Sequence, residues 1–303
     1  MQELACYAGQ QAVFEDASQM LRFIGGIDIN AKQIERICHY HGQQLEESLL
    51  QDIETGSDKV YPDAEGRYYV MLDGSMYLTR EEKWKEMKLG RIFKDENNIG
   101  ISRHRGMITQ SEYVCHLGSH TEFFEKLGVY IESLKRPVFI NDGARWIWNW
   151  IDTYYPDALQ ILDFFHAKEH LCQFANEYFR CPDTREKWVK GQSENLLDDK
   201  AGEVIKELSK MTTTTQKQEK MRTALMDYYQ NNLKRMQYKT FREQGLLIGS
   251  GAIESAHRDI LQQRLKLSGQ RWTKQGLQQI ANLRILYKSN KLGNQRQLIK
   301  FAA

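Results

Sequence analysis

The sequence lacks paired cysteines. Its five (Cys6, Cys38, Cys115, Cys172 and Cys181) are odd in number, scattered and without a CxxC pair, which excludes a disulfide scaffold and reads as reduced thiols in an intracellular protein. It also has no run of 18 apolar residues and no basic segment followed by an apolar core at its start. Neither a membrane span nor a signal peptide is therefore expected, and the expected location is the cytoplasm, nucleoid-associated if DNA is bound. Nucleotide and hydrolase signatures are missing too: there is no GxxxxGKS/T loop, no GxGxxG after a strand, no GxSxG and no HExxH. Use of a nucleotide cofactor and serine-hydrolase chemistry lose their support. No internal repeat is present, and the only low-complexity tract is Thr212 to Thr215.

What is there can build a core. With 303 residues, 41% of them hydrophobic, the chain is long enough for one large domain or two. The overall charge of +2 hides an asymmetry, because from Ser255 to Ala303 ten Lys or Arg face a single acid, Asp259. A basic tail of this kind either tracks a phosphate backbone or forms the solvated face of amphipathic helices. Residues 1–50 are the reverse, with three bases against seven acids.

Periodicity divides the chain into four parts. Residues 1–55 read as helical, with Phe14, Ala17, Met20, Leu21 and Ile24 at helical spacing, a Gly25-Gly26 break, and Asn30 as the cap of a second helix expected to stop near Gly42. Two helices about a glycine turn resemble a helix-turn-helix, although the acidic balance favours packing or dimerisation. Residues 66–172 change period: Arg67 to Asp73, Trp84 to Phe93 and Ser111 to Leu117 read as strands, Thr121 to Leu134 as a helix, Val138 to Ile140 as a strand, a tryptophan-rich stretch before Pro156 as a helix and Leu159 to Leu162 as a strand. Three antiparallel strands, then helix, strand, helix, strand and helix, is the element order of an RNase H-like α/β core with a mixed five-stranded sheet. Residues 173–248 read as an all-helical insertion, and residues 249–303 as a glycine hinge, a final core helix from Ala252 and the basic tail.

Asp73, Asp142 and Asp163 each stand at the expected carboxyl end of a strand, where open α/β sheets place their sites. Each acid also has an ordinary use: Asp73-Gly74 as a turn, Asp142 as a helix cap, Glu254 as a first-turn acid. As a set on successive elements of one fold they point instead to a site for hard divalent cations acting on phosphate. His166 and His170, spaced i and i+4, with Cys172 or Asp163 raise a zinc alternative.

Several runs carry a resemblance: Leu72-Asp73-Gly74-Ser75, Trp84 to Arg91, Asn141 to Trp146, Leu162 to His170, Gly249 to Glu254, and Arg264-Leu265-Lys266 through Arg271-Trp272. In order, they resemble bacterial insertion-sequence transposases of the ISKra branch, which looks like part of the DDE superfamily related to Mutator-like enzymes. The resemblance implies an RNase H-like core with a helical insertion, a metal-binding catalytic triad of Asp73, Asp142 and Glu254, and a second tier of Asp163 and His166 matching a D-x-x-H signature. It implies two Mg²⁺ or Mn²⁺ ions, double-stranded transposon-end and target DNA as partners, and a homo-oligomer on DNA. Arg258, Arg264, Lys266, Arg271, Trp272 and Lys274 are the expected DNA contacts. Members of the branch commonly carry more sequence before the position of Met1. The alternatives are thus a shortened, catalytically silent DNA-binding remnant and a nuclease of the same fold without strand transfer.

Overall fold

The computed structural model describes residues 1–61, 64–102 and 105–289. It is a mixed α/β chain with a five-stranded mixed sheet and a separate two-stranded hairpin. Two compact units divide it, one from residues 1–137 with the described residues from 252 onward, the other from residues 138–251. Lys291, Arg296 and Lys300 of the basic tail lie outside the described residues. Among the described residues, no helix is long and apolar enough to cross a membrane.

The first unit begins with α1 (Gln2–Gln11), α2 (Phe14–Gly25) and α3 (Ala31–Thr55). Gly26, at φ 62°, ends α2 in the left-handed conformation that glycine adopts without a Cβ penalty. Asn30 caps α3 through a reciprocal capping box with Gln33. The expected stop at Gly42 does not occur: α3 runs on to Thr55. Gly42 serves packing instead, since a Cβ there would run into the backbone of Gln279 on the last helix.

Strand β1 (Arg67–Thr79) pairs antiparallel with β2 (Lys83–Lys94), and β2 with a later strand, β5 (Glu112–Leu117). Tyr68 to Leu72 are buried without a break, so both faces of this strand are covered. Between β2 and β5 a hairpin of β3 (Asn98–Ser102) and β4 (Arg105–Ile108) appears that the sequence pattern does not announce. Helix α4 (His120–Ile131) follows, capped by Ser119.

The second unit carries the parallel pair β6 (Arg136–Asn141) and β7 (Leu159–Leu162), joined by α5 (Arg145–Tyr154), the right number of residues for a crossover. Then come α6 (Phe164–Tyr178), α7 (Pro182–Leu197), α8 (Ala201–Lys210), α9 (Gln216–Asn232) and α10 (Tyr238–Glu243). Residues 173–248 are thus mainly helical, holding the end of α6 and α7 to α10. They are tied back to the strands by the buried Arg235, which donates to Gln160 at 2.7 Å and Asp152 at 2.6 Å and lies 4.4 Å from the Trp148 ring.

The chain re-enters the first unit along α11 (Gly251–Ala256), which passes into a π-helical stretch (His257–Gln262), then α12 (Gln263–Leu265) and α13 (Lys274–Lys288). A π stretch disturbs the i to i−4 ladder and leaves carbonyls needing donors. Arg284, 1% exposed, supplies them: it donates to the carbonyls of Ile260 and, at 2.7 Å, Asp259, and reaches Gln10 in α1 at 2.6 Å. One guanidinium therefore holds the π stretch, α1 and α13 together. Replacing it by Met strands three buried carbonyls, and Arg284→Met is expected to cost at least about 3 kcal/mol in urea unfolding. A loss below about 1 kcal/mol would contradict this role.

Candidate functional site

In the first unit, Asp73 is not at a strand end. Strand β1 continues through Asp73-Gly74, with Asp73 opposite Leu89 and Gly74 opposite Lys88. The dipeptide reads locally as a turn, but here Gly74 makes room for the Glu86 side chain, which a Cβ would strike. Asp73 Oδ1 accepts the Gly74 N–H at 2.7 Å, and its Oδ2 lies 3.5 Å from Nε2 of His257. The other ring nitrogen of His257 is 3.2 Å from Ser75 Oγ. This histidine is 2% exposed, and burial lowers its pKa below the ordinary value against the opposing pull of the Asp73 carboxylate. Glu254 precedes it by three residues, one turn earlier on the same helical run. Asp73 and Glu254 thus share His257 as a neighbour, one through space and the other along the helix.

The start of that helix is fixed by another buried cation. Arg91 donates to the Ala252 carbonyl at 2.8 Å and to Ser111 Oγ at 3.0 Å, with its guanidinium 5.6 Å from the Phe93 ring and 5.5 Å from Tyr113. Arg91 sits in the Trp84 to Arg91 run, so part of that motif serves to seat the segment two residues before Glu254.

The second unit holds the other acids. Asn141, at the end of β6, is in register with Leu162, at the end of β7. Asp142 and Asp163 are the next residues, so they leave adjacent parallel strands side by side, and the Asp163 N–H donates to the Asn141 carbonyl at 2.8 Å. Asp142 does not cap α5, whose first turn follows Ala144; its Oδ1 accepts the Ala144 N–H at 2.9 Å within the connecting turn. Asp163 does cap a helix. It is 1% exposed, its Oδ1 takes the His166 N–H at 2.9 Å, and its Oδ2 takes both the N–H and, at 2.6 Å, the hydroxyl of Ser250. Burial works to raise the Asp163 pKa, but the His166 and Ser250 hydrogen bonds outweigh it and the net shift is downward. Ser250 stands four residues before Glu254 in the chain.

Tyr228 is a residue the sequence reading missed. Its ring lies against Gly143, where a Cβ would collide with it, and 4.4 Å from the His170 ring. Burial first, then the charges of Asp142 and Asp163, raise the phenol pKa, keeping it protonated. His170 is packed on this ring while Cys172 lines a groove with Phe164 and Lys168. His166, His170 and Cys172 do not gather as a metal-ligand group among the described residues. His166 Nδ1 is instead 3.7 Å from Asp163 Oδ1.

The six residues expected to contact DNA differ in situation. Arg258, Lys266 and Arg271 are exposed, and Lys274 pairs with Glu82. Arg264 and Trp272 are buried, at 1% and 8% exposure, and so are not surface contacts.

The Asp163 carboxylate gives a direct test. Its pKa is depressed in the fold, so its contribution is fully present above the ordinary aspartate range near pH 4 and is lost as pH falls through the folded value. An Asn side chain offers one acceptor oxygen where three donors converge, and Asp163→Asn is expected to cost about 1.5–3 kcal/mol at neutral pH. The variant should also lose less stability than the parent between pH 7 and about pH 3. Equal acid sensitivity in urea titrations of the two proteins would count against the clamp.

In comparison with known proteins, no curated protein matches the sequence. Residues 65–300, which contain every acid and histidine described above, match the model of an uncharacterised protein family, UPF0236, and the chain belongs to that family.

Proposed function

We propose that this chain is a DNA transposase of the DDE kind, with an RNase H-like catalytic core in which Asp73, Asp142 and Glu254 hold two Mg²⁺ or Mn²⁺ ions. The observation that carries the reading is the paired exit of Asp142 and Asp163 from adjacent parallel strands, in a chain whose Asp73 and Glu254 share His257. The family's association with transposase-like proteins supports it, as does the ordered resemblance to the ISKra branch.

The donors suit the ions. Carboxylate oxygens are the preferred ligands of hard divalent cations, and the side chains beside them are imidazoles and a phenol. Bound there, such ions supply Lewis acidity to a phosphodiester. The chain's own residues do the rest. His257 and Ser75 set the direction of the Asp73 carboxylate. Asp163, with both oxygens engaged, acts as a positioning residue for the Ser250 segment. Tyr228, protonated, is a neutral donor beside Asp142. Exposed Arg258, Lys266 and Arg271 hold double-stranded element ends and target DNA, with salt-sensitive affinity, and the protein works as a homo-oligomer on paired ends.

Nicking and strand transfer on element-end DNA, compared for the parent, Asp73→Asn, Asp142→Asn and Glu254→Gln, test the reading. Each variant is expected to lose at least about a hundredfold in rate while keeping DNA affinity. Retention of metal-dependent cleavage by all three would sink the triad. Cleavage without any joined product would make the chain a nuclease, and DNA binding without cleavage would make it a silent remnant.

A further inference from the structure

The loop before α13 runs beside the end of the β1–β2 hairpin. Thr79 and Trp272 form a parallel bridge, the Arg80 N–H donates to the Trp272 carbonyl at 2.8 Å, and the Trp272 N–H donates to the Leu78 carbonyl at 3.3 Å. This backbone pairing fixes where the Arg80 and Arg271 side chains begin. Next to it, within the first unit, is a cavity of about 190 Å³ lined in part by Phe14, His39, Arg80, Arg264, Arg271 and Trp272.

Arg264 is the unusual member. It is 1% exposed, its guanidinium carbon is 5.0 Å from the ring centres of both Phe14 and Trp272, and its Nε donates to the Gly9 carbonyl at 3.0 Å. Its Nη1 is buried with no hydrogen-bond partner. Burial pushes its pKa down to about 10, which still leaves it charged at neutral pH. An unmet donor on a buried charged group is costlier than on a neutral one, and such groups call for a specific explanation.

Two further arginines stand in the lining. Arg80 and Arg271 are exposed and have no ion-pair partner among the described residues. The acid in the lining, Glu35, is engaged by Lys32 at 2.6 Å. His39 is held toward its neutral form, chiefly by burial. A cavity of about 190 Å³ is large enough for a tetrahedral oxyanion with its hydration. Three arginines that line one pocket supply the planar donors that phosphate recognition uses.

We propose that this cavity binds a single phosphate group, with Arg80, Arg264 and Arg271 as its donors. The phosphate belongs either to a nucleic-acid strand or to a free anion, and the site stands whether or not the acids elsewhere hold metal. Calorimetric titration of the full chain with inorganic phosphate in metal-free buffer, then with a short duplex with and without a 5′-phosphate, tests it. Arg80→Ala and Arg271→Ala change exposed side chains, so their melting temperatures should match the parent's.

Each variant is expected to weaken inorganic phosphate binding about tenfold. Phosphate that competes with the duplex in the parent, but not in the variants, identifies a nucleic-acid phosphate as the occupant. Phosphate binding that Arg80→Ala weakens while duplex affinity stays unchanged identifies a free anion. A parent that takes up no phosphate, or variants that bind it as tightly as the parent, would overturn the proposal. Failure of DNA cleavage would leave these readouts untouched.

Discussion

A buried charge persists in a folded chain only where enough hydrogen-bond partners replace water, and Asp163 is where this protein depends on that rule most. One carboxylate takes two donors from Ser250 and one from the first turn of α6. It thereby closes a loop of 87 residues, from the end of β7 to the glycine hinge ahead of Glu254. Two residues further along, Ala252 is held by Arg91. In the second unit the Ser250 segment is therefore held by one buried anion, and in the first unit the start of the Glu254 helix is held by one buried cation.

The same economy recurs in the first unit. Arg284 satisfies carbonyls of the π stretch, Lys126 is paired with Glu46 and lies 3.0 Å from His116 Nδ1, and Lys88 donates to Glu86 and to the Gly118 carbonyl, each at 2.7 Å. Motif charges that look like surface charges along the chain are thus largely internal fasteners. Arg264 departs from the pattern, because one of its donors has no partner. That departure separates a structural cation from a candidate binding group.

Local patterns made the sheet strands, the amino-terminal helices and the helical character of residues 173–248 legible, because burial on a strand or helix repeats with a short period. The exceptions share a cause. Gly42 looked like a helix stop and Asp73-Gly74 like a turn because glycine carries both meanings locally; only packing against Gln279 and Glu86 decides between them. The β3–β4 hairpin is short and partly exposed, so it leaves little periodic signal. Of the candidate site, the acids were readable from their order along the chain. His257 was not, since its partner Ser75 is 182 residues away, and Tyr228 reaches Gly143 from α9. Arg264 was read as a surface base because nothing in its neighbours along the chain reveals the two rings that enclose it.

The central claim is that the acids of this chain form a site for divalent ions, and direct binding of Mn²⁺ tests it without requiring a DNA substrate. Titration of the full chain followed by electron paramagnetic resonance is expected to show saturable Mn²⁺ uptake that Mg²⁺ displaces and that Asp142→Asn and Glu254→Gln each abolish. Uptake that survives in both variants, or no saturable uptake by the parent chain, would contradict the account.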